Sequence, residues 1–592
     1  PDRLEATATA ATSIGRFSYY GHASDTPARQ IGGTIGDRFG RLALFASVDH
    51  VVSTGQPLSY VTVTQPAATS AAGTAVGGSV PALNRTGAAI RVLGSGGIEH
   101  QVQDRLKFKA ALDLSPNLRL TYVGALFLGD THAGTESYLA NPATGNLAYT
   151  GALNLDGRAY TVAASAFDSG VYRHDERDTS HALTLDGHGD RLDWRIIATR
   201  FRFDHDSQRA PTSALPDAFA GGAGTITRLD GTGWETLDAS ALWRAGGGHV
   251  LSGGGHVDRF TLRSDRFATT DWLNGPIGAL NLRSAGRTRT GALWAQDAWR
   301  IADPLTLTVG GRIEWWRAYQ GVNFSTSPAV SVRQPARDAR RFSPKASLTW
   351  TLAPPWTVRL SYGDAYRFPT VSELYQVVTT PVAAVPDPNL KPEHARSAEL
   401  ALEHKDARGE VRLSLFGEWI GDALISQSGP LNGGATLATF VQNVDRTRTR
   451  GVELAASRQE VLPRFDLSGS VTYADARTLR DRAFPAAEGK HLPQVPRWRA
   501  TLVTTWRPVD RLSLTAAARY ASRHYATIDN SDIVAETYQG FGRYLIVDLR
   551  AVATVNRHMT FGLGVDNLTD DRYFLFHPFP ARSVRVDATW RL

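Results

Sequence analysis

The sequence predicts an all-β fold: a 22-stranded antiparallel transmembrane β-barrel with short turns at one rim and long loops at the other. Three observations predict it. Segments of about ten residues alternate strictly between apolar and polar side chains, as strands with one lipid face and one wet face must. Ten short turns are separated by much longer connections along the 592 residues. No run of about 18 apolar residues occurs, which excludes a bundle of membrane-crossing helices.

The alternation is clearest in the closing segment, Arg582 to Leu592. Val584, Val586, Ala588, Trp590 and Leu592 share one face, and Arg585, Asp587, Thr589 and Arg591 share the other. Side chains point to opposite sides along a strand, so this segment is oily on one side and charged on the other. The pattern recurs. Leu118, Leu120 and Tyr122 oppose Asn117, Arg119 and Thr121, and Leu512, Leu514, Ala516 and Ala518 oppose Ser513, Thr515 and Arg519. Phe465, Leu467, Val471 and Tyr473 likewise oppose Asp466, Ser468, Ser470 and Thr472.

A soluble sandwich alternates too, so the connections decide. Short turns are expected at Asp37–Arg41, Ser115–Asn117, Gly187–Asp190, Arg244–Gly248 and Ile301–Pro304. Five more follow at Leu352–Pro355, Lys405–Gly409, Gln459–Arg464, Arg507–Asp510 and Val555–His558. Each carries Gly, Pro, Asp or Asn, as tight reversals require. Between them lie long connections such as Ser53–Asn84, Asp204–Thr232, Tyr319–Ala339 and Thr370–Pro392. Ten hairpins plus an unpaired first and last strand make 22, and residues 3–12 read as the first. A barrel this wide encloses a lumen that must be plugged. The apolar stretches around residues 60–97 and 140–180 could extend strands above the membrane.

Composition agrees. The mean hydropathy of -0.24 is water-like, which a barrel permits because lipid meets only alternate residues. Cysteine is absent, so a disulfide framework, a thiolate zinc site and a thiol nucleophile are excluded. The net charge of +7 is spread along alternating segments, which fits a polar lumen and not a nucleic-acid surface. Trp498 and Trp506 bracket one segment, and Trp194, Trp315, Trp350 and Trp590 lie near segment ends, where a membrane girdle would place them. Pro1-Asp2-Arg3-Leu4-Glu5 has no signal-peptide character. The reading frame of an exported protein is therefore expected to begin upstream.

Three segments resemble one family. The first is Tyr366-Arg367-Phe368-Pro369-Thr370, then Glu373-Leu374-Tyr375 and Pro388-Asn389-Leu390-Lys391-Pro392-Glu393. The second is Thr447-Arg448-Thr449-Arg450-Gly451-Val452-Glu453-Leu454. The third joins Val565-Asp566-Asn567-Leu568-Thr569-Asp570-Asp571-Arg572-Tyr573 to Pro580-Ala581-Arg582-Ser583. In this order they resemble the TonB-dependent receptors of the bacterial outer membrane. Physically, Pro369 and Pro392 stiffen a loop that needs no ladder donors. Gly451 reads as a kink or close approach where a strand begins, and Asn567 and Asp570 suit a turn. Two features depart from the family: the chain ends in Leu592 and not an aromatic, and no plug or TonB box is found within residues 1–592. The chain is thus expected to be the barrel part of a longer receptor.

The resemblance implies a multi-pass barrel in the Gram-negative outer membrane, with turns in the periplasm and loops outside. Lipopolysaccharide would surround it, and barrel-assembly machinery would insert it. It implies import of a scarce nutrient, foremost a ferric siderophore, energised by the TonB–ExbB–ExbD complex acting through a plug. No enzyme activity, cofactor, resident metal or nucleic-acid partner is expected. Other readings are a passive channel, or an adhesin or phage-docking barrel; other cargoes are cobalamin and oligosaccharide. Haem is disfavoured because Val371–Asp387 lacks histidine, and copper because Met559 is the one methionine. His100, His394 and His577 read as isolated residues.

Ferric siderophores are frequently anionic and aromatic, which suits arginine and aromatic side chains. The ligand-binding candidates are Arg312, Glu314, Trp316, Arg317 and Tyr319, with Tyr366 and Arg367 at a loop start. Strand phase sends Arg312, Glu314 and Trp316 to the lumen and Trp315 to lipid. The plainer role for such arginines is pairing with lumen acids.

Overall fold

The computed structural model describes residues 3–378, 383–430 and 437–592. Its wall starts with β1 (Glu5–Tyr19), β2 (His22–Phe39), β3 (Leu42–Thr54), β4 (Ala89–Ser115), β5 (Leu118–Ser137), β6 (Tyr172–Gly187) and β7 (Leu192–Pro211). It continues through β8 (Gly233–Gly246), β9 (His249–Thr269), β10 (Leu280–Ala302), β11 (Leu305–Thr326), β12 (Arg337–Ala353), β13 (Trp356–Arg367) and β14 (Glu393–Asp406). The rest is β15 (Gly409–Pro430), β16 (Leu437–Leu462), β17 (Phe465–Arg480), β18 (Trp498–Val509), β19 (Leu512–Ala521), β20 (Tyr544–Thr554), β21 (Met559–Asp566) and β22 (Ser583–Arg591).

Each strand pairs antiparallel with the next. The ring then closes: β1 pairs with β22 over nine residue pairs, from Thr7 opposite Arg591 to Gly15 opposite Ser583. Closure leaves no open sheet edge, the condition for placing backbone in hydrocarbon. The wall is a 22-stranded barrel. No described helix is long and apolar enough to cross a membrane.

Outward side chains follow the alternation. Leu293, Phe342 and Leu360 are 58%, 59% and 53% exposed, which only a lipid-facing surface explains in side chains of this size. All ten expected turns join consecutive strands. At Gly246–Gly248 all three glycines have positive φ, so the reversal into β9 uses a backbone region closed to most residues.

The loop rim differs from expectation in three ways. The first loop-side connection is only Tyr20 and Gly21, with φ of 50° and 71°, a two-residue reversal matched to strand twist. The connections expected at Asp204–Thr232 and Tyr319–Ala339 are partly strand, because β7 runs to Pro211 and β11 to Thr326. A further hairpin arm, Ala329–Gln334, continues the sheet from β11. The stretch around 60–97 does extend the sheet above the belt, whereas 140–180 adds a small separate sheet before the wall resumes at Tyr172. Ser59–Thr64 and Val80–Leu83 pair with the upper part of β4. Gly151–Leu155 and Arg158–Val162 form a small sheet with Thr74–Ala75. Over them lies an apolar cluster containing Leu93, Leu139, Leu155, Phe167, Leu215 and Trp272. Strands above the membrane no longer alternate toward lipid, so both faces can be covered.

Candidate functional site in the loop-side half of the lumen

The segment after β13 folds back onto the inner wall. Thr370 caps a single-turn helix, α1 (Val371–Tyr375), by accepting from the Glu373 N–H at 3.2 Å. Glu373 accepts in return from the Thr370 N–H at 2.8 Å, which completes a capping box. The Arg367 guanidinium also donates to the Glu373 carboxylate. Leu374, Tyr375 and Leu390 are fully buried against Leu262, Trp316 and Ala318, all on the lumen phase of β9 and β11. Phe368 stacks on Trp316 with ring centres 5.6 Å apart and planes 8° from parallel. Tyr375 fits a slot made by two glycines: a Cβ at Gly286 or Gly321 would overlap its ring. Asn323 Nδ2 donates to the Tyr375 carbonyl at 2.8 Å.

The remaining first-motif residues fasten this clamp to β15 and β16. Asn389 N–H donates to Asp387 at 2.8 Å. Lys391, between Leu390 and Pro392, exchanges hydrogen bonds with the Asn443 side chain at 2.7 and 3.0 Å. Glu393 accepts from the Leu424 N–H at 2.6 Å. Gly451 lies well inside β16 and not at its start. There the Phe416 ring and the Tyr473 carbonyl press where a Cβ would stand. Glu453 accepts from Thr472 at 2.8 Å.

Arg312, Glu314 and Trp316 lie together on the lumen wall, with Arg312 Nε 2.9 Å from Glu314. Trp316 is only 4% exposed, its face covered by Phe368. Arg317 and Tyr319 share the opposite phase with Trp315, on the outside of the barrel. Tyr366 stacks on His394 at 4.4 Å, and the Arg341 guanidinium stands 5.5 Å over its ring. Other lumen arginines pair with acids, as Arg412 does with Glu399 and Arg550 with Asp587, both at 2.7 Å.

The structure also assembles a feature that sequence reading missed. Phe203, Phe201, Trp234 and Phe260 form a continuous aromatic ladder across β7, β8 and β9 on the lumen phase. Adjacent ring centres are 5.5, 5.8 and 6.5 Å apart. The signal was available: in Arg200-Phe201-Arg202-Phe203 the rings share a phase opposite to the lipid-facing Trp194 and Ile196. Just below, His256 bridges Asp238 at 2.6 Å and Asp258 at 3.0 Å. A second histidine bridge, His174 between Glu176 at 3.6 Å and Asp206 at 3.1 Å, gathers possible ligand atoms within 4.8 Å. The imidazole itself accounts for that cluster. The wall thus offers π-faces and fixed charges, able to hold an aromatic, charged solute.

Beyond the lumen, the turn after β21 is tightly held. Asn567 is 4% exposed with φ of 52°. Its side chain donates to the Asp571 and Pro580 carbonyls at 2.9 and 3.4 Å and accepts from the Asp571 N–H at 2.9 Å. Leu568 N–H reaches the Val547 carbonyl at 2.7 Å. Tyr573 is buried between Tyr544 and Phe579. The Arg582 N–H meets Asp570 at 3.0 Å and its carbonyl accepts from Arg16 of β1.

Residues 120–568 match the family model described as TonB dependent receptor-like, beta-barrel. The chain belongs to the TonB-dependent receptors. An iron-regulated outer membrane virulence protein of Vibrio cholerae is 25% identical over 280 residues, 44% of this chain and 39% of that protein. The match therefore spans about two fifths of that relative's length. Two crystal structures share the fold of this receptor. The siderophore receptor PiuA from Acinetobacter baumannii has a TM-score of 0.63 at 14% identity, over 99% of this chain and 82% of that one. The ferric yersiniabactin uptake receptor FyuA from Yersinia pestis has a TM-score of 0.64 at 15% identity, over 100% and 80%. Both of these structures are of receptors. The receptor is an outer-membrane barrel, with its turn rim in the periplasm and its loop rim outside.

Proposed function

We propose that this receptor imports a ferric siderophore, bound in the loop-side half of the lumen and admitted by energised passage. The coupling is to the TonB–ExbB–ExbD complex through a plug domain belonging to the same protein. The single observation that carries the cargo class is the Phe203–Phe201–Trp234–Phe260 ladder. Each aromatic pair contributes roughly 0.5–1.5 kcal/mol beyond burial, so four neighbouring rings, edge-to-face, stacked and tilted in turn, favour an aromatic chelate. Arg312 lies on the lumen phase lower on the wall, two strands on from Phe260, where a guanidinium adds cationic character for an anionic complex. The names of the Vibrio and Acinetobacter relatives point the same way.

The test is equilibrium binding to the purified full-length receptor, followed by quenching of tryptophan fluorescence. Ferric catecholate, ferric hydroxamate, cobalamin and an oligosaccharide are titrated in parallel. An iron chelate should bind, and Trp234→Ala with Phe260→Ala should weaken it about tenfold or more, the equivalent of losing two stacking contacts. Saturable binding of cobalamin or sugar alone would overturn the cargo. A large steady conductance of the full-length protein in a planar bilayer would overturn energised import.

A further inference from the structure

On the outside of the barrel one cross-strand row reads Arg200, Glu235, Arg259, Arg289, Arg317, Asp338. Each residue lies directly opposite the next, from β7 to β12. Strand phase fixes the direction these side chains take. On the same faces lie Val257, Leu293, Trp315 and Phe342, all largely exposed apolar groups of the lipid belt. The depth is fixed as well. Trp299 follows Arg289 of the row by ten residues along β10, next to the turn rim, and Trp350 lies ten residues beyond Arg340, one step below the row on β12. A tilted membrane strand takes about 9–11 residues to cross the hydrocarbon. The row therefore sits where the outer leaflet's headgroups begin.

The charges in this row do not balance. Acids flank its three central arginines: Glu235 takes Arg259 at 2.6 Å and Arg200 at 3.8 Å, and Asp338 takes Arg317 at 3.8 Å. At its centre Arg259, Arg289 and Arg317 are directly opposed with no acid between them. Among the described residues Arg289 has no ion-pair partner. Like charges facing each other across neighbouring strands, about 5 Å apart, repel. An anion between them reverses the sign of that interaction, and guanidinium forks match phosphate oxygens two at a time. A free anion would satisfy the arginines alone. A lipid satisfies them and also covers the apolar wall beneath.

We propose that Arg259, Arg289 and Arg317 form a docking site for the phosphorylated headgroup of an outer-leaflet glycolipid. Its acyl chains lie along Val257, Leu293 and Trp315. The site is independent of the cargo proposed above and rests only on the barrel's place in the outer membrane.

The full-length receptor is extracted from outer membranes in mild detergent, and co-purifying phosphorylated glycolipid is counted by native mass spectrometry. Arg259→Gln with Arg289→Gln and Arg317→Gln should lower retention at least tenfold, because basic residues at a charged lipid surface carry the attraction. A charge-matched variant at the periplasmic rim, Arg41→Gln with Arg408→Gln and Arg511→Gln, should retain the wild-type amount. Heat-modifiable gel mobility identifies closed barrels, and only these are compared. Delipidated receptor should rebind the bisphosphorylated glycolipid and not its dephosphorylated form, and millimolar inorganic phosphate should leave the lipid bound. Equal retention by the first variant, equal loss by the second, rebinding of the phosphate-free lipid or displacement by free phosphate would each overturn the proposal.

Discussion

The indole of Trp316 lies flat against Phe368, its planes 8° from parallel, and so ties the middle of β11 to the connection that leaves β13. A residue expected to meet cargo is thereby a keystone of the inner wall. Trp316→Ala should destabilise the packing of α1 by roughly 3–5 kcal/mol, the usual cost of emptying a buried tryptophan site. Hydrogen exchange of residues 371–378 would then rise while exchange in the barrel strands stays unchanged. Unchanged protection of α1 would contradict this.

Gly321 and Gly286 leave room for Tyr375, and neither can accept a Cβ without moving it. Gly321→Ala should therefore release α1 from the wall, although alanine is otherwise tolerated in a strand. Limited proteolysis would detect a new cut between Thr370 and Leu390 in intact outer membranes.

Asn567 holds a left-handed backbone and satisfies three neighbouring groups from a buried position. Asn567→Ala leaves those groups unpaired and adds strain, a loss on the order of 2–3 kcal/mol. The midpoint of heat-modifiable mobility should fall by several degrees, with the barrel still able to close.

Asp168 lies in a loop against the apolar cluster above β4 and β5, where burial pushes its carboxyl up to about 6. The sign follows from linkage. Between its ordinary value near 3.9 and about 6 the folded loop binds the extra proton, so local stability falls as pH rises through that window and levels off above it. Protease resistance of residues 139–172 should drop between pH 4 and pH 6. Asp168→Asn should flatten that profile.

The seam offers a direct test of closure, because the chain has no cysteine to interfere. Ala10 and Ala588 are partners in the β1–β22 register, and opposed antiparallel residues lie about 4.5–5.5 Å apart at Cα, within disulfide reach. Ala10→Cys with Ala588→Cys should crosslink within one chain on mild oxidation. Ala11→Cys with Ala588→Cys, out of phase by one, should not.

The barrel was legible from the sequence because lipid imposes one rule on every strand it touches. All ten periplasmic reversals could be located by their Gly, Pro, Asp and Asn content, and the phase of Val584 to Leu592 named the lipid face correctly. That rule stops at the headgroups. Above them β7 and β11 run on as sheet covered by protein, so Asp204–Thr232 and Tyr319–Ala339 read as loop. The two-residue turn at Tyr20 and Gly21 was hidden because alternation continues on both sides of it. In the candidate site, the pairing of Arg312 with Glu314 follows from i, i+2 spacing on one face. The aromatic ladder needed the registers of three strands. Thr370 and Glu373 carried a capping-box spacing all along, but one turn of helix has no periodicity to betray it.

The antiparallel seam has a mechanical consequence. Ladder bonds run perpendicular to the strands, so tension applied along β1 from Glu5 loads its bonds to β2 and to β22 in shear. They must yield together and not one after another. A wall built this way can stay rigid while a force directed toward the periplasm displaces whatever the pore contains.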